Sequence, residues 1–281
     1  MGIMEALERA KRLQSERQRD VSSSDQPVQI RAPIRSRKLE VAGSATPRLD
    51  YPELRPDLAV CEKNKVLISQ QSSGLHLHAV DAYRILRTRL RHRMGQDQVV
   101  SIGIVSAGAN EGKSLTALNL ALSFANEKRR NVFLIDLDLR NPSLCRCLGI
   151  APHKEIAVYL ANPGNPESVF FTLGIDNLVV AGGIMSHENS SELLGGSALA
   201  EMLDYVARID PFALVIVDLP PILQSADAMV VGSNLSALLL VVGEGITRRD
   251  NLGRALEMLG GMQVAGVVLN RSREAIQDYY G

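Results

Sequence analysis

The stretch "SAGANEGKSLTALNLA", Ser106 to Ala121, decides how the rest of the chain is read. It follows an apolar run, "VVSIGIV" over 99–105, and passes without a break into an amphipathic pattern over 113–127. Ala107-x-x-x-x-Gly112-Lys113-Ser114 has the spacing of a phosphate-binding loop, with Ala in place of the first Gly. Small residues there let backbone N–H groups turn inward around phosphates. The helix N-terminus that follows adds its partial positive charge. In such a loop Lys113 reaches the β- and γ-phosphates and the Ser114 hydroxyl completes a Mg²⁺ shell. Ala109, Asn110, Glu111, Gly112 and Leu115 complete the predicted nucleotide-contacting set.

The flanking pattern gives this loop its context. "NVFLIDL" (131–137), "NLVVAG" (177–182), "FALVIVDL" (212–219), "ALLLVVG" (237–243) and "VAGVVLN" (264–270) read as further strands. They are apolar on both faces, as in a parallel sheet covered on each side. Residues 192–208 and 247–260 read as helices between them, with Ser191 and Thr247 as N-cap residues. The expected fold is therefore α/β: a doubly wound, mostly parallel sheet with helices on both faces and right-handed crossovers. Such sheets bind ligands at the carboxyl ends of their strands.

Two of those ends are acidic. "FLIDLDLR" places Asp136 and Asp138 two apart, on one face of an extended segment. "VIVDLPP" ends on Asp218 before Pro220 and Pro221, which stop the strand. An Asp at a strand tip beside a phosphate loop holds Mg²⁺, here Asp138 and Asp218 together with Ser114. A second carboxylate can accept a proton from an attacking hydroxyl. Lys113, Asp136, Asp138 and Asp218 form the predicted catalytic group.

Bulk composition narrows the class. The chain has 281 residues, 46% hydrophobic and 22% charged, with net charge +0, which argues for no nucleic-acid or anionic-membrane partner. Three cysteines, two of them as Cys145-x-Cys147, form neither a disulfide framework nor a zinc site. They read as reduced thiols in a cytoplasmic protein. Ala228 to Gly243 is too short for a membrane span. The N-terminus lacks an apolar h-region, and Ala6 stands where myristoylation needs Ser or Thr.

Ahead of the α/β pattern, residues 1–20 read as a helix with Ile3, Leu7, Ala10 and Leu13 at helical spacing. Residues 21–72, rich in Pro, Ser and charge, read as a linker that stays mostly disordered. The domain division expected is helix 1–20, linker 21–72, a phosphate-loop domain 73–270 and a flexible tail 271–281.

At this point the chain resembles the bacterial tyrosine kinases, phosphate-loop autokinases related to the MinD/ParA ATPases, over roughly residues 75 to 281. "SAGANEGKSLTALNLA", "FLIDLDLRNP" and "VIVDLPP" resemble that family's Walker A, A′ and B segments. "NSSELL" (189–194) and the ending "VVLNRSREAIQDYYG" resemble it as well. MinD/ParA relatives carry a signature lysine where this chain has Gly108, which favours the kinase branch. The resemblance implies ATP and Mg²⁺ as cofactors, and transfer to tail tyrosines Tyr279 and Tyr280 presented in trans by a neighbouring subunit. Asp138 or Asp136 takes the hydroxyl proton. It further implies a homo-oligomeric ring, a membrane adaptor protein, and a cytoplasmic location at the inner face of the membrane in exopolysaccharide or capsule export.

In "DAYRILRTRLRHR", Asp81, Arg84 and Arg87 stand where the family's E-x-x-R-x-x-R ring motif lies, with Asp in place of Glu. Asn270 matches an adenine-contacting Asn of related ATPases, and Arg140 follows the A′ pair. The histidines show no metal-ligand spacing. A MinD/ParA-like ATPase switch without tyrosine transfer, and a non-enzymatic nucleotide-binding assembly factor, are the alternative readings.

Overall fold

The computed structural model describes residues 46–68, 74–94 and 100–272. Its centre is a seven-stranded sheet: β1 (Val100–Ser106), β2 (Val132–Asp136), β3 (Phe171–Thr172), β4 (Leu178–Ala181), β5 (Leu214–Asp218), β6 (Ala237–Gly243) and β7 (Val264–Asn270). The order across the sheet is β3-β4-β2-β5-β1-β6-β7, and every pairing is parallel except β3 with β4. The predicted mostly parallel α/β fold is the fold observed.

Period-two alternation sorts the strand side chains into two cores, because successive residues point to opposite faces. Phe133, Ile135, Val215, Val217 and Leu240 enter one cluster, while Val132, Leu134, Leu214, Ile216 and Val241 enter the other. Helix α1 (Leu58–Lys63), α2 (Gly74–Met94), α3 (Lys113–Ala125) and α4 (Leu144–Leu148) cover the second face. The first is covered by α5 (Ile156–Ala161), α6 (Ser190–Leu194), α7 (Ala198–Ile209), α8 (Asp227–Gly232) and α9 (Arg249–Met258). The strands β1, β2, β4, β5 and β6 thus bury both faces, which is why these runs lack polar alternation, whereas the edge strand β7 is mostly half-buried with Leu269 exposed.

Register positions the acidic tips. Asp136 pairs with Asp218 across β2 and β5, and Ile104 pairs with Asp218 across β1 and β5. Three adjacent strands therefore deliver the loop after β1 and two aspartates to one edge.

Several expectations need correction. The helix read over 192–208 is two, α6 and α7, separated by Gly195 and Gly196. Ser191 is not a cap: it lies inside α6, whose N-cap position is Asn189 with no side-chain capping bond, and the Ser191 hydroxyl donates to Asp227. Thr247 also precedes its helix without capping it; its hydroxyl accepts from Gly243 N at 2.9 Å, and α9 begins at Arg249. The two-residue β3 and helices α4, α5 and α8 are too short to show a period.

The linker expectation over 21–72 runs across residues 46–68, and these are packed. Tyr51 packs at a tilt against Phe170 (ring centroids 5.5 Å apart), which meets Phe133 edge-on at 5.4 Å. The Tyr205 hydroxyl donates to Glu167 at 2.8 Å, so the Tyr51 hydroxyl, 3.0 Å away, donates to Tyr205. Leu54 N donates to Thr172 O at 2.8 Å, and Thr172 N to Pro52 O at 2.9 Å. Asp57 caps α1 through Ala59 N and Val60 N, and Cys61 is buried. A handful of anchors thus orders a segment whose average composition is that of a disordered arm. The expected helix 1–20 lies outside the described residues.

Phe133 is fully buried between the sheet and Phe170. Phe133→Ala is expected to lower unfolding free energy by about 3–5 kcal/mol, read from the urea midpoint at unchanged slope.

Candidate active site

The loop between β1 and α3 is built by its own short-range contacts. Asn110 (φ 62°) and Gly112 (φ 92°) take left-handed backbone conformations, which turn the chain tightly. The Glu111 side chain folds inward and accepts from Ala107 N at 3.0 Å. Glu111 is 3% exposed, so its carboxylate braces the loop from inside. The Ser106 hydroxyl donates to Gly108 O at 2.8 Å, and Thr116 N and Oγ1 both close on Gly112 O at 2.9 Å. Ala109 and Asn110 are exposed at the mouth, and Leu115 is half-buried. Asn270, at the tip of β7, donates through Nδ2 to Glu111 O at 2.9 Å. Its Oδ1 is left as an acceptor.

The aspartates converge on Lys113. Its Nζ lies 2.7 Å from Asp138 Oδ2, 3.3 and 3.4 Å from the two Asp218 oxygens, and 3.1 Å from Ser114 Oγ. Lys113, Asp138 and Asp218 are each less than a tenth exposed. Asp136 differs: Oδ2 accepts from Ser143 N at 2.9 Å and Leu144 N at 3.0 Å, and Oδ1 from Asp138 N at 3.2 Å. It therefore holds the loop after β2 and the start of α4, while Asp138 faces the ammonium.

The predicted residues fall into three groups. Lys113, Ser114, Asp138 and Asp218 come together, with Asp136 beneath them and Asn270 tied to the loop from the far side. Asp81, Arg84 and Arg87 are remote, on α2, and they do not form one surface. Asp81 and Arg84 pair at 3.0 Å with more than half of each side chain exposed. Arg87 turns inward, its Nε 3.0 Å from Glu127, and donates to Ser123 O. Six helical positions rotate the side chain to about 120° from the first, which explains the split. Tyr279 and Tyr280 lie outside the described residues.

No protein-family model matches the chain. It is 30% identical to the tyrosine-protein kinase YwqD of Bacillus subtilis over 203 residues, covering 72% of this chain and 84% of that one. The chain belongs to the bacterial tyrosine-protein kinases. Against the tyrosine-protein kinase Wzc of Salmonella typhi it is 30% identical over 206 residues, 72% of this chain and only 28% of the longer relative. The solved kinase domain of Escherichia coli Etk superposes with a TM-score of 0.63 at 28% identity, over 72% of this chain and 79% of that one. The cell-division ATPase MinD of Pyrococcus furiosus gives 0.52 at 26% identity, over 64% and 75%. The chain is thus a tyrosine kinase on the fold of the MinD-type P-loop ATPases. Among the described residues no helix is long and apolar enough to cross a membrane.

Charge balance in the kinase's site is tight. Burial opposes the Lys113 ammonium, but Asp218 and Asp138 outweigh it and raise its pKa above the ordinary lysine range. Burial also raises Asp218, with Lys113 and the Ser114 hydroxyl pulling the other way. Burial and the neighbouring Asp218 push Asp136 up to about 7 from its ordinary 3.8, against the Leu144 N–H, Lys113 and the Ser143 N–H. Among the described residues no cluster of His, Cys, Asp or Glu could hold a metal alone. Mg²⁺ takes one or two carboxylates and completes its shell with water and phosphate. Ser114, Asp138 and Asp218 offer the hard oxygen donors it needs.

Two residues escaped sequence reasoning in part. The bracing role of the Glu111 side chain, which accepts from Ala107 N, carries no mark in the loop spacing. Asp227 was not singled out; it is buried and binds Ser190, Ser191 and Arg140 beside the site. A lone Asp in "QSADAM" carries no pattern that marks it.

A Cβ added at Gly112 would lie 2.0 Å from Asn270 Nδ2, in a backbone conformation that already disfavours side chains. Gly112→Ala is expected to weaken ATP binding by about tenfold or more, read by titration with a fluorescent ATP analogue. Asp136 gives a pH signature. Its folded pKa is raised, so its contribution to stability is complete below 3.8 and lost as pH rises through about 7. The stability deficit of Asp136→Asn, which cannot ionise, should shrink steadily across that window in urea titrations.

Proposed function

We propose that the chain is an ATP- and Mg²⁺-dependent autokinase that phosphorylates Tyr279 and Tyr280 of a neighbouring copy and regulates exopolysaccharide or capsule export. The observation that carries this reading is the Lys113 ammonium held 2.7 Å from Asp138 and 3.3 Å from Asp218, beside Ser114 Oγ. A cation already bridges the two carboxylates that a metal-nucleotide would need.

In the reaction we assign, Lys113 leaves the aspartates for the β- and γ-phosphates of ATP. The backbone from Ala109 to Leu115 cradles those phosphates, and Asn270 Oδ1 meets the adenine amino group. Ser114, Asp138 and Asp218 would hold Mg²⁺. When bound, Mg²⁺ screens the charge of the transferring phosphoryl group. Asp138 accepts the phenolic proton, because Asp136 spends its oxygens on three backbone N–H groups. Added phosphates on the tail then repel the acidic site and loosen the assembly.

We place the kinase domain at 73–270, with the packed residues 46–68 as its strap, 1–20 as a partner-docking helix and 271–281 as the substrate tail. Asp81 and Arg84 are the α2 residues available to a ring neighbour. A membrane adaptor of the export system would activate the kinase at the inner face of the membrane.

The second reading, an ATPase switch without tyrosine transfer, draws on the likeness to MinD. Gly108 at the signature-lysine position weighs against it. Labelled ATP separates the two. Label is expected on Tyr279 and Tyr280, falling by about 100-fold or more in Lys113→Met and vanishing in Tyr279→Phe/Tyr280→Phe. Free phosphate with no protein label would establish the switch instead.

A further inference from the structure

The order of strand tips fixes where an acceptor can enter. Along the carboxyl edge, Asn270 ends β7, the phosphate loop follows β1, Asp218 ends β5, and Asp138 follows β2. A nucleotide with its base at Asn270 and its phosphates at Lys113 points its terminal phosphate toward β2. Attack in line with the leaving oxygen must then come from beyond Asp138, over the loops that follow β2 and β4.

These loops are held as one wall. His187 N donates to Leu139 O at 2.8 Å, the Ser186 hydroxyl to Arg140 O at 2.5 Å, and Met185 N to Glu155 Oε2 at 3.2 Å. The wall exposes Ile184 (39%) and Met185 (62%), and Arg140, two residues after Asp138, is tied to it through Ser186. Its Nε donates to Ser190 Oγ at 2.8 Å and lies 3.7 Å from Asp227 Oδ2, while Ser190 Oγ donates to that same oxygen at 2.6 Å. Asp227 is 1% exposed, so the clamp is rigid on its inner side. The outer side of Arg140 is not: its side chain is 49% exposed, and its terminal nitrogens make no hydrogen bond among the described residues. An arginine fixed by Nε and open at its terminal nitrogens presents a two-pronged donor suited to a carboxylate.

We infer that Arg140 selects an acceptor peptide with an acidic residue just before its tyrosine, and that Ile184 and Met185 seat the apolar residue upstream. This rests on the tyrosine-transfer reading above. The occupant is the tail of a second copy, in which Asp278 immediately precedes Tyr279 and lies two before Tyr280, with Ile276 upstream. Without Arg140 such a peptide would bring its carboxylate toward three buried aspartates and a triphosphate. Like charges in so dry a site repel strongly. Arg140 converts that repulsion into the recognition signal.

The test uses the full chain carrying Tyr279→Phe and Tyr280→Phe, with ATP, Mg²⁺ and the added peptide REAIQDYYG or its Asp278→Asn form. The acidic peptide is expected to show a KM about tenfold lower, with kcat within about twofold. Arg140→Gln should collapse that ratio to near one, and Arg140→Lys should keep part of it, since a lysine supplies charge without the fork. Equal KM values for the two peptides on the unaltered Arg140 enzyme would overturn the assignment without any variant that risks misfolding. So would a ratio that survives Arg140→Gln. Transfer to neither peptide, while the chain still hydrolyses ATP, would take down the tyrosine-transfer reading itself.

Discussion

One buried cation organises this molecule's working edge. Parallel pairing brings the tips of β1, β2 and β5 side by side, and with them three carboxylates that share almost no water. Such a cluster is stable only when its charge is answered from within. Asp136 is answered by backbone N–H groups, and Asp138 and Asp218 by the Lys113 ammonium. The first belongs to the frame and the others to the exchangeable part. In the function proposed above, Asp138 and Asp218 would hold the metal of a bound nucleotide, and Lys113 would then serve its phosphates.

The phosphate loop itself is thoroughly tied down. Glu111 and Asn270 fix it from opposite sides, and Gly112 lies close enough to Asn270 that a single methyl would not fit. With the backbone settled, the moving part is one flexible side chain. Little ordering entropy then opposes ligand binding.

The parts of this arrangement that follow a period or a spacing were legible in the sequence. Six strands are legible because each is a continuous apolar run, five of them buried on both faces and β7 half-buried at the sheet edge. Lys113, Ser114, Asp138 and Asp218 were found because the loop spacing and strand-tip aspartates carry their own mechanism. What was not legible depends on contacts between distant segments. The clamp of Asp227 on Arg140 and the engagement of Arg87 by Glu127 join residues far apart in the chain, while the inward turn of Glu111 onto Ala107 N is local but carries no periodic pattern. Residues 46–68 mislead in a related way: their proline and charge content is that of an unfolded arm, while Tyr51, Leu54, Cys61 and Val66 anchor them. Mean composition weighs every residue equally, whereas packing is decided by the few that find a pocket.

The strap over β3 has one more effect. A bare sheet edge is a template on which any extended chain can add itself. Here β3 is only two residues long, and the Pro52–Leu54 backbone occupies its outer hydrogen-bonding groups at Thr172. The occupied groups at Thr172 thereby close this end of the sheet to indiscriminate fibrous stacking.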